Sequence, residues 1–161
     1  KKTFHIDTKE KEFRLAGNTA AADGRKKEQK KIEHDIKKEI SIALSAFGNT
    51  MGGKLFIGVD DDGTVVGLDD DLKSYDDSFD KFTREVQKSI DDFTKDSVFA
   101  NEIIISIGED NSFLQLEALP FRQNPIYLHD DNQEEFYIRG FGTSKKLSTI
   151  NTVNYIQKNF N

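Results

Sequence analysis

Apolar residues return at helical spacing in three parts of the chain. Ile32, Ile36, Ile40, Ala43, Leu44 and Phe47 line one face of a helix, with Gly48 or Asn49 as its stop. Phe79, Phe82, Val86, Ile90 and Phe93 mark a second amphipathic helix. A third carries Ile150, Val153, Ile156 and Phe160 behind an N-cap at Ser148 or Thr149. Between these lie short β-rich runs joined by turn residues. Lys54–Asp60 (KLFIGVD) and Thr64–Leu68 (TVVGL) flank a DDG turn; Glu102–Gly108 (EIIISIG) and Phe113–Leu119 (FLQLEAL) flank EDNS; Pro125–His129 (PIYLH) and Glu135–Gly140 (EFYIRG) flank DDNQ. Three hairpins are predicted. Phe4–Leu15 reads as a strand or a helical turn, and residues 16–31 as a mobile loop grading into a helix start. The expectation is an α+β fold: a hairpin-rich, mostly antiparallel sheet with two to three packed helices.

Length narrows this to one domain over residues 1–161, since a chain of 161 residues supports one compact core. The chain opens on Lys1, so it is expected to be excised from a longer protein with further domains. Cysteine is absent, which removes disulfides and thiolate metal sites and suggests a cytoplasmic setting. No apolar run approaches the roughly 20 residues that span a bilayer, and no membrane partner is expected.

Charge complicates the picture. The formal net charge is −6, which opposes phosphate binding, but it is unevenly spread. Arg25–Lys38 holds seven basic and three acidic residues, a balance of +4, whereas Asp60–Asp96 holds thirteen acidic and five basic, a balance of −8. Either run could be no more than a solvated face, and the acidic run fits that description well.

Gly48–Lys54 (GNTMGGK) has the G-x-x-x-x-G-K spacing of a phosphate-binding loop. Such a loop follows a strand and opens a helix, and a Ser or Thr follows the Lys to hold magnesium. Here the order is helix first and strand second, and Leu55 follows the Lys. No ATP site is expected. Gly48 or Asn49 is read instead as a left-handed helix stop, Gly52 and Gly53 as a tight entry into the strand, and Asn49 and Thr50 as partners for backbone groups at the turn.

The same residues carry a family resemblance. Ile40–Leu68 (ISIALSAFGNTMGGKLFIGVDDDGTVVGL) resembles the signature of the Schlafen-type AlbA domain, in which a helix ends in A-F-x-N-T-x-G-G and runs into L-x-I-G-V-x-D-x-G. Lys9–Leu15 (KEKEFRL) resembles the family's E-F-K element, and Asn124–Ser148 resembles its closing P-x-Y hairpin with Y-x-R-x-G-x-S/T. The resemblance implies a nucleic-acid-binding module, described in bacteria and archaea as a DNA-binding domain and often joined to a winged-helix or ATPase-like region, which would suit a transcription regulator. Animal relatives use two such lobes as a metal-dependent endoribonuclease on structured RNA. Their carboxylates carry over onto Asp7, Glu12 and Asp60, where Asp7 replaces the usual Glu and Arg14 the usual Lys.

The resemblance thus implies catalytic Asp7, Glu12 and Asp60, with Glu12 and Asp60 holding Mg²⁺ or Mn²⁺, hard ions that favour oxygen ligands. Asp7 is one methylene shorter than Glu, which loosens such a site. Asp61 and Asp62 read as turn residues. Phosphate contacts are expected from Arg25, Lys26, Lys27, Lys30, Lys31, Arg139, Lys145 and Lys146, although Arg139 could equally form a structural ion pair and the two lysines could serve solubility. His5, His34 and His129 have no metal-site spacing. Three functions follow in order: binding DNA or RNA, cleaving structured RNA, or seating a basic protein partner on the acidic stretch around Asp69–Asp71. A homodimer that completes a groove is a further expectation, by analogy with the paired lobes.

Overall fold

The computed structural model describes residues 3–6 and 22–160, with side chains described from residue 27 onward. Its spine is helix α1, Ala22–Gly48. The residues 22–31, expected as the end of a mobile loop, are helical, because the charged run extends the helix whose apolar face begins at Ile32; residues 16–21 lie outside the described ones. Ile40, Ala43, Leu44 and Phe47 are buried along α1. Two buried serines on the same helix return their hydroxyls to it: Ser41 donates to the Lys37 carbonyl at 2.9 Å and Ser45 to that of Ser41 at 2.6 Å. Polar burial is thereby satisfied within one helix.

Strands β1 (Thr3–Ile6), β2 (Gly53–Ile57), β3 (Ile104–Ile107) and β4 (Leu114–Ala118) form one sheet in the order β1-β2-β4-β3. The β3–β4 hairpin is antiparallel as predicted, β4 pairs antiparallel with β2, and β1 lies parallel to β2 with Ile6 opposite Ile57. Alternation places Leu55, Ile57, Leu114 and Leu116 in the core. A second sheet holds β5 (Tyr127–Asp130), β6 (Gln133–Arg139) and β7 (Ser144–Lys146), all antiparallel.

The first predicted hairpin does not form. Thr64–Leu68 makes a single bridge, Val59 to Val65, and the N–H groups of Val66 and Gly67 both donate to the Gly58 carbonyl. Gly58, Gly63 and Gly67 all take positive φ, which folds the segment into a compact loop instead of a ladder. Leu68 is still fully buried, and the short helix α2 (Asp69–Lys73) follows with three acidic residues in its first turn, where the helix dipole favours them.

Helix α3 spans Phe79–Thr94, capped by the Ser78 hydroxyl, and buries Phe82, Val86, Ile90 and Phe93 as the periodicity requires. Asp96 caps the short helix α4, Ser97–Glu102. Helix α5, Thr149–Asn159, is capped by Ser148 as expected, but its inward residues are Thr152, Tyr155 and Ile156, while Ile150 and Val153 face solvent. The fold class stands: α+β, mostly antiparallel, with α1, α3 and α5 as its longer helices and α2 and α4 as short additions.

The end of α1 joins the two sheets. Neither Gly48 nor Asn49 is left-handed; the chain turns at Gly52, with φ +74°, where a side chain would also strike the Ala118 carbonyl. Gly53 lies against the Phe47 ring, so that an added Cβ would sit 2.5 Å from it. The fully buried Asn49 amide donates to the Ile126 carbonyl at 2.8 Å and to the Tyr137 carbonyl at 3.0 Å, and accepts from the Ile126 N–H at 2.9 Å. Its backbone carbonyl accepts from the Tyr155 hydroxyl at 2.7 Å. One residue thus ties α1 to β6, α5 and the start of β5. Replacing Asn49 with Ala would strand three buried backbone groups, each worth about 1–3 kcal/mol unsatisfied. Urea unfolding should show a loss of about 3 kcal/mol or more for Asn49→Ala, and a smaller loss for Thr50→Val, whose hydroxyl bonds only the carbonyls of its own helix.

Candidate functional site

The conspicuous surface feature is the solvent side of α1. Lys27, Lys30 and Lys31 are exposed and recur at helical spacing, so they share one stripe. None belongs to an ion pair among the described residues. Arg25 and Lys26 lie on the same helix, before the residues whose side chains are described.

Further along, the stripe turns inward. Lys38 bonds Asp130 at 2.5 Å, and His34 Nε2 lies 3.5 Å from the other Asp130 oxygen. Lys37 reaches Glu85 on α3 at 3.3 Å. On the adjoining sheet Glu135, largely buried, accepts from Lys146 and from the Tyr137 hydroxyl, the latter at 2.7 Å. Lys38 thus works as an internal cation. These bonds set the protonation equilibria: the Lys38 hydrogen bond holds Asp130 below the usual carboxylate range, and Lys146, then Tyr137, do the same for Glu135. Burial, reinforced by Glu135, pushes the Tyr137 phenol well above its ordinary range.

Arg139 needs correction as a phosphate contact. It is buried, its guanidinium lies over the Phe47 ring at 5.2 Å, and it donates to the Gly142 carbonyl at 2.7 Å and to the Ser144 hydroxyl at 3.1 Å. A planar guanidinium that bonds in a fork and stacks on a ring is a structural clamp here. Lys146 is half exposed but engaged by Glu135, whereas Lys145 is exposed. Arg122, which the sequence reading passed over, caps α1: it donates to the carbonyls of Gly48 and Thr50 and rests on the Phe160 ring. No local motif announces that role.

Asp60 sits in the loop after β2. Its carboxylate accepts from the Asp61 N–H at 2.7 Å, and Asp62 accepts from the Thr64 N–H at 2.8 Å, so both act as turn formers. Asp7 and Glu12 lie outside the described residues. Among the described residues no three His, Asp or Glu side chains gather as a metal cluster.

The ionic seam between α1 and the second sheet gives a pH signature. Because Asp130 and Glu135 are held low, the unfolded chain binds protons more readily, so their stabilisation is present above about pH 4 and is lost as pH falls through and below that value. Glu135→Gln should reduce stability at pH 7 and flatten its decline between pH 5 and about pH 2, read by urea midpoints across that range.

The family model described as Schlafen, AlbA_2 matches residues 22–148, from the start of α1 to the N-cap of α5. The KEKEFRL element precedes the matched residues. Comparisons with curated proteins and with solved structures gave no match. With most of its length covered by that model, the chain belongs to the Schlafen AlbA_2 family, a family of nucleic-acid-related domains.

Proposed function

We propose that this domain binds nucleic acid through the phosphate backbone, using the exposed Lys27, Lys30 and Lys31 stripe of α1 together with Lys145. The observation that carries this reading is the contrast among the cations. Arg122, Arg139, Lys38 and Lys146 are consumed by carbonyls, rings and carboxylates within the fold, whereas the stripe stays exposed on a long helix. Cations fixed on a rigid element contact phosphates at little ordering cost. A DNA-binding role within a transcription regulator suits this surface, and so does binding to structured RNA.

The acidic stretch offers less to a basic protein partner than its sequence suggests. Asp70, Asp76 and Asp80 already pair with Lys73, Lys81 and Arg84 beside them. Salt dependence tests the binding reading. Fluorescence anisotropy with labelled duplex DNA and hairpin RNA should give a slope of log affinity against log salt that falls by about 2–3 on replacing Lys27, Lys30 and Lys31 with Ala. An unchanged slope in that variant would refute the assignment of the stripe.

A metal-dependent ribonuclease is the second reading, favoured by one feature: the parallel β1–β2 pairing sets Ile6, the residue before Asp7, opposite Ile57, at the end of the sheet from which the chain continues to Asp60. Mg²⁺ or Mn²⁺ would supply Lewis-acid chemistry there. Denaturing gels with structured RNA would then show fragments with Mn²⁺, none with EDTA, and none in Glu12→Ala. Cleavage persisting in Glu12→Ala would eliminate this carboxylate set.

A further inference from the structure

Phe141 is 99% exposed, the largest exposure among the large hydrophobic side chains described. It stands at the tip of the β6–β7 connection, Gly140–Thr143, and that connection is held firmly. Arg139 and Ser144 pair across its base, the Gly140 N–H donates to the Thr143 carbonyl at 2.9 Å, and the buried Arg139 guanidinium grips the Gly142 carbonyl at 2.7 Å. Arg139 is itself anchored over Phe47 at the core end of α1. A buried cation is thereby committed to fixing the turn that presents an aromatic ring to water.

The surroundings of the ring select its ligand. Glycines flank it on both sides; a Cβ added at Gly142 would meet nothing within 4 Å, and one at Gly140 would meet only the Thr143 carbonyl, at 3.7 Å. A flat group can therefore approach the ring without meeting neighbouring side chains. The adjoining Gly140, Gly142, Thr143 and Ser144 add no large apolar surface, so the tip lacks the contiguous apolar core of a protein–protein interface. Lys145, exposed and next along the strand, places a cation near the aromatic tip. An aromatic ring beside a lysine is the combination that holds an unstacked base and its backbone.

We propose that Phe141 stacks on an unpaired nucleobase, so that the ligand of this domain contains single-stranded or looped-out nucleotides. This rests on the nucleic-acid-binding reading and narrows it from backbone contact to a base-stacking site. A base inside a duplex shows its edges and not its face, so the ring discriminates by strandedness.

The chain contains no Trp, so Phe141→Trp provides a single indole at the proposed contact. Titrating that variant with an unlabelled single-stranded oligonucleotide should quench its fluorescence. Anisotropy with labelled single strands should show Phe141→Ala binding about 5- to 150-fold more weakly, while perfectly paired duplex binds as the parent does. Because the side chain is exposed, loss of folding does not confound the variant, and circular dichroism verifies this. Salt-dependent binding with no quenching and no effect of Phe141→Ala would overturn the stacking site and leave backbone binding intact. Phe141→Leu binding as tightly as the parent would also overturn it, since a general apolar contact of the kind a protein partner uses would then suffice. Absence of binding to every single strand and duplex at low salt would refute the underlying reading, and the stacking site with it.

Discussion

The fold turns on what happens to the Asn49 amide. Helix α1 must end where the two sheets meet, and the main chain there leaves buried groups of Ile126 and Tyr137 to be satisfied from outside their own ladders. A side chain that both donates twice and accepts, and is short enough to sit at a helix end, is needed; Asn meets that description. The glycines around it serve the same junction. A Cβ at Gly48 would lie 2.5 Å from Ile126 and one at Gly53 equally close to Phe47, so both positions are kept bare to let strand and helix close on each other. The phosphate-loop spacing of Gly48–Lys54 is therefore a packing device.

That junction also decides which cations are available for function. Arg122 caps the last carbonyls of α1, where a positive charge meets the negative end of the helix dipole, and Arg139 holds the β6–β7 turn from beneath. Lys38 and Lys146 neutralise carboxylates that would be costly to bury unpaired. The chain is rich in basic residues, yet the fold spends a good part of them on itself. Those outside its internal pairs stand near the start of α1 and at Lys145.

Local signals were well written in the sequence, and distant ones were not. The α1, α3 and α5 periodicities, the β3–β4 and β5–β6 hairpins and the Ser148 cap all depend on neighbours a few residues apart, and they appear as read. The Thr64–Leu68 strand failed because its valines suggest a ladder while the glycines before and after them enforce a loop. Arg139 misled for another reason: beside two glycines it resembles a phosphate contact, and only its distant neighbour Phe47 reveals the clamp. The parallel β1–β2 pairing was equally invisible, since a four-residue strand carries no information about its partner. Asp7 and Glu12 lie outside the described residues, so the carboxylate set was neither gathered nor dispersed.

The charge distribution imposes a final constraint on any phosphate ligand. With a net charge of −6 the whole molecule repels nucleic acid at long range, and the acidic α2–α3 side touches α1 directly through Lys37 and Glu85. At physiological ionic strength screening confines such fields to about 8 Å, so attraction reaches little beyond the lysine stripe itself. Lys27 and Lys31 are separated by about 6 Å along a helix that rises 1.5 Å per residue. That footprint covers only a few phosphates, which makes backbone attraction alone a weak and unselective hold. A fixed aromatic tip adds a contact that salt does not screen, and it joins the same scaffold because Arg139 and Phe47 link the β6–β7 turn to the helix that carries the lysines.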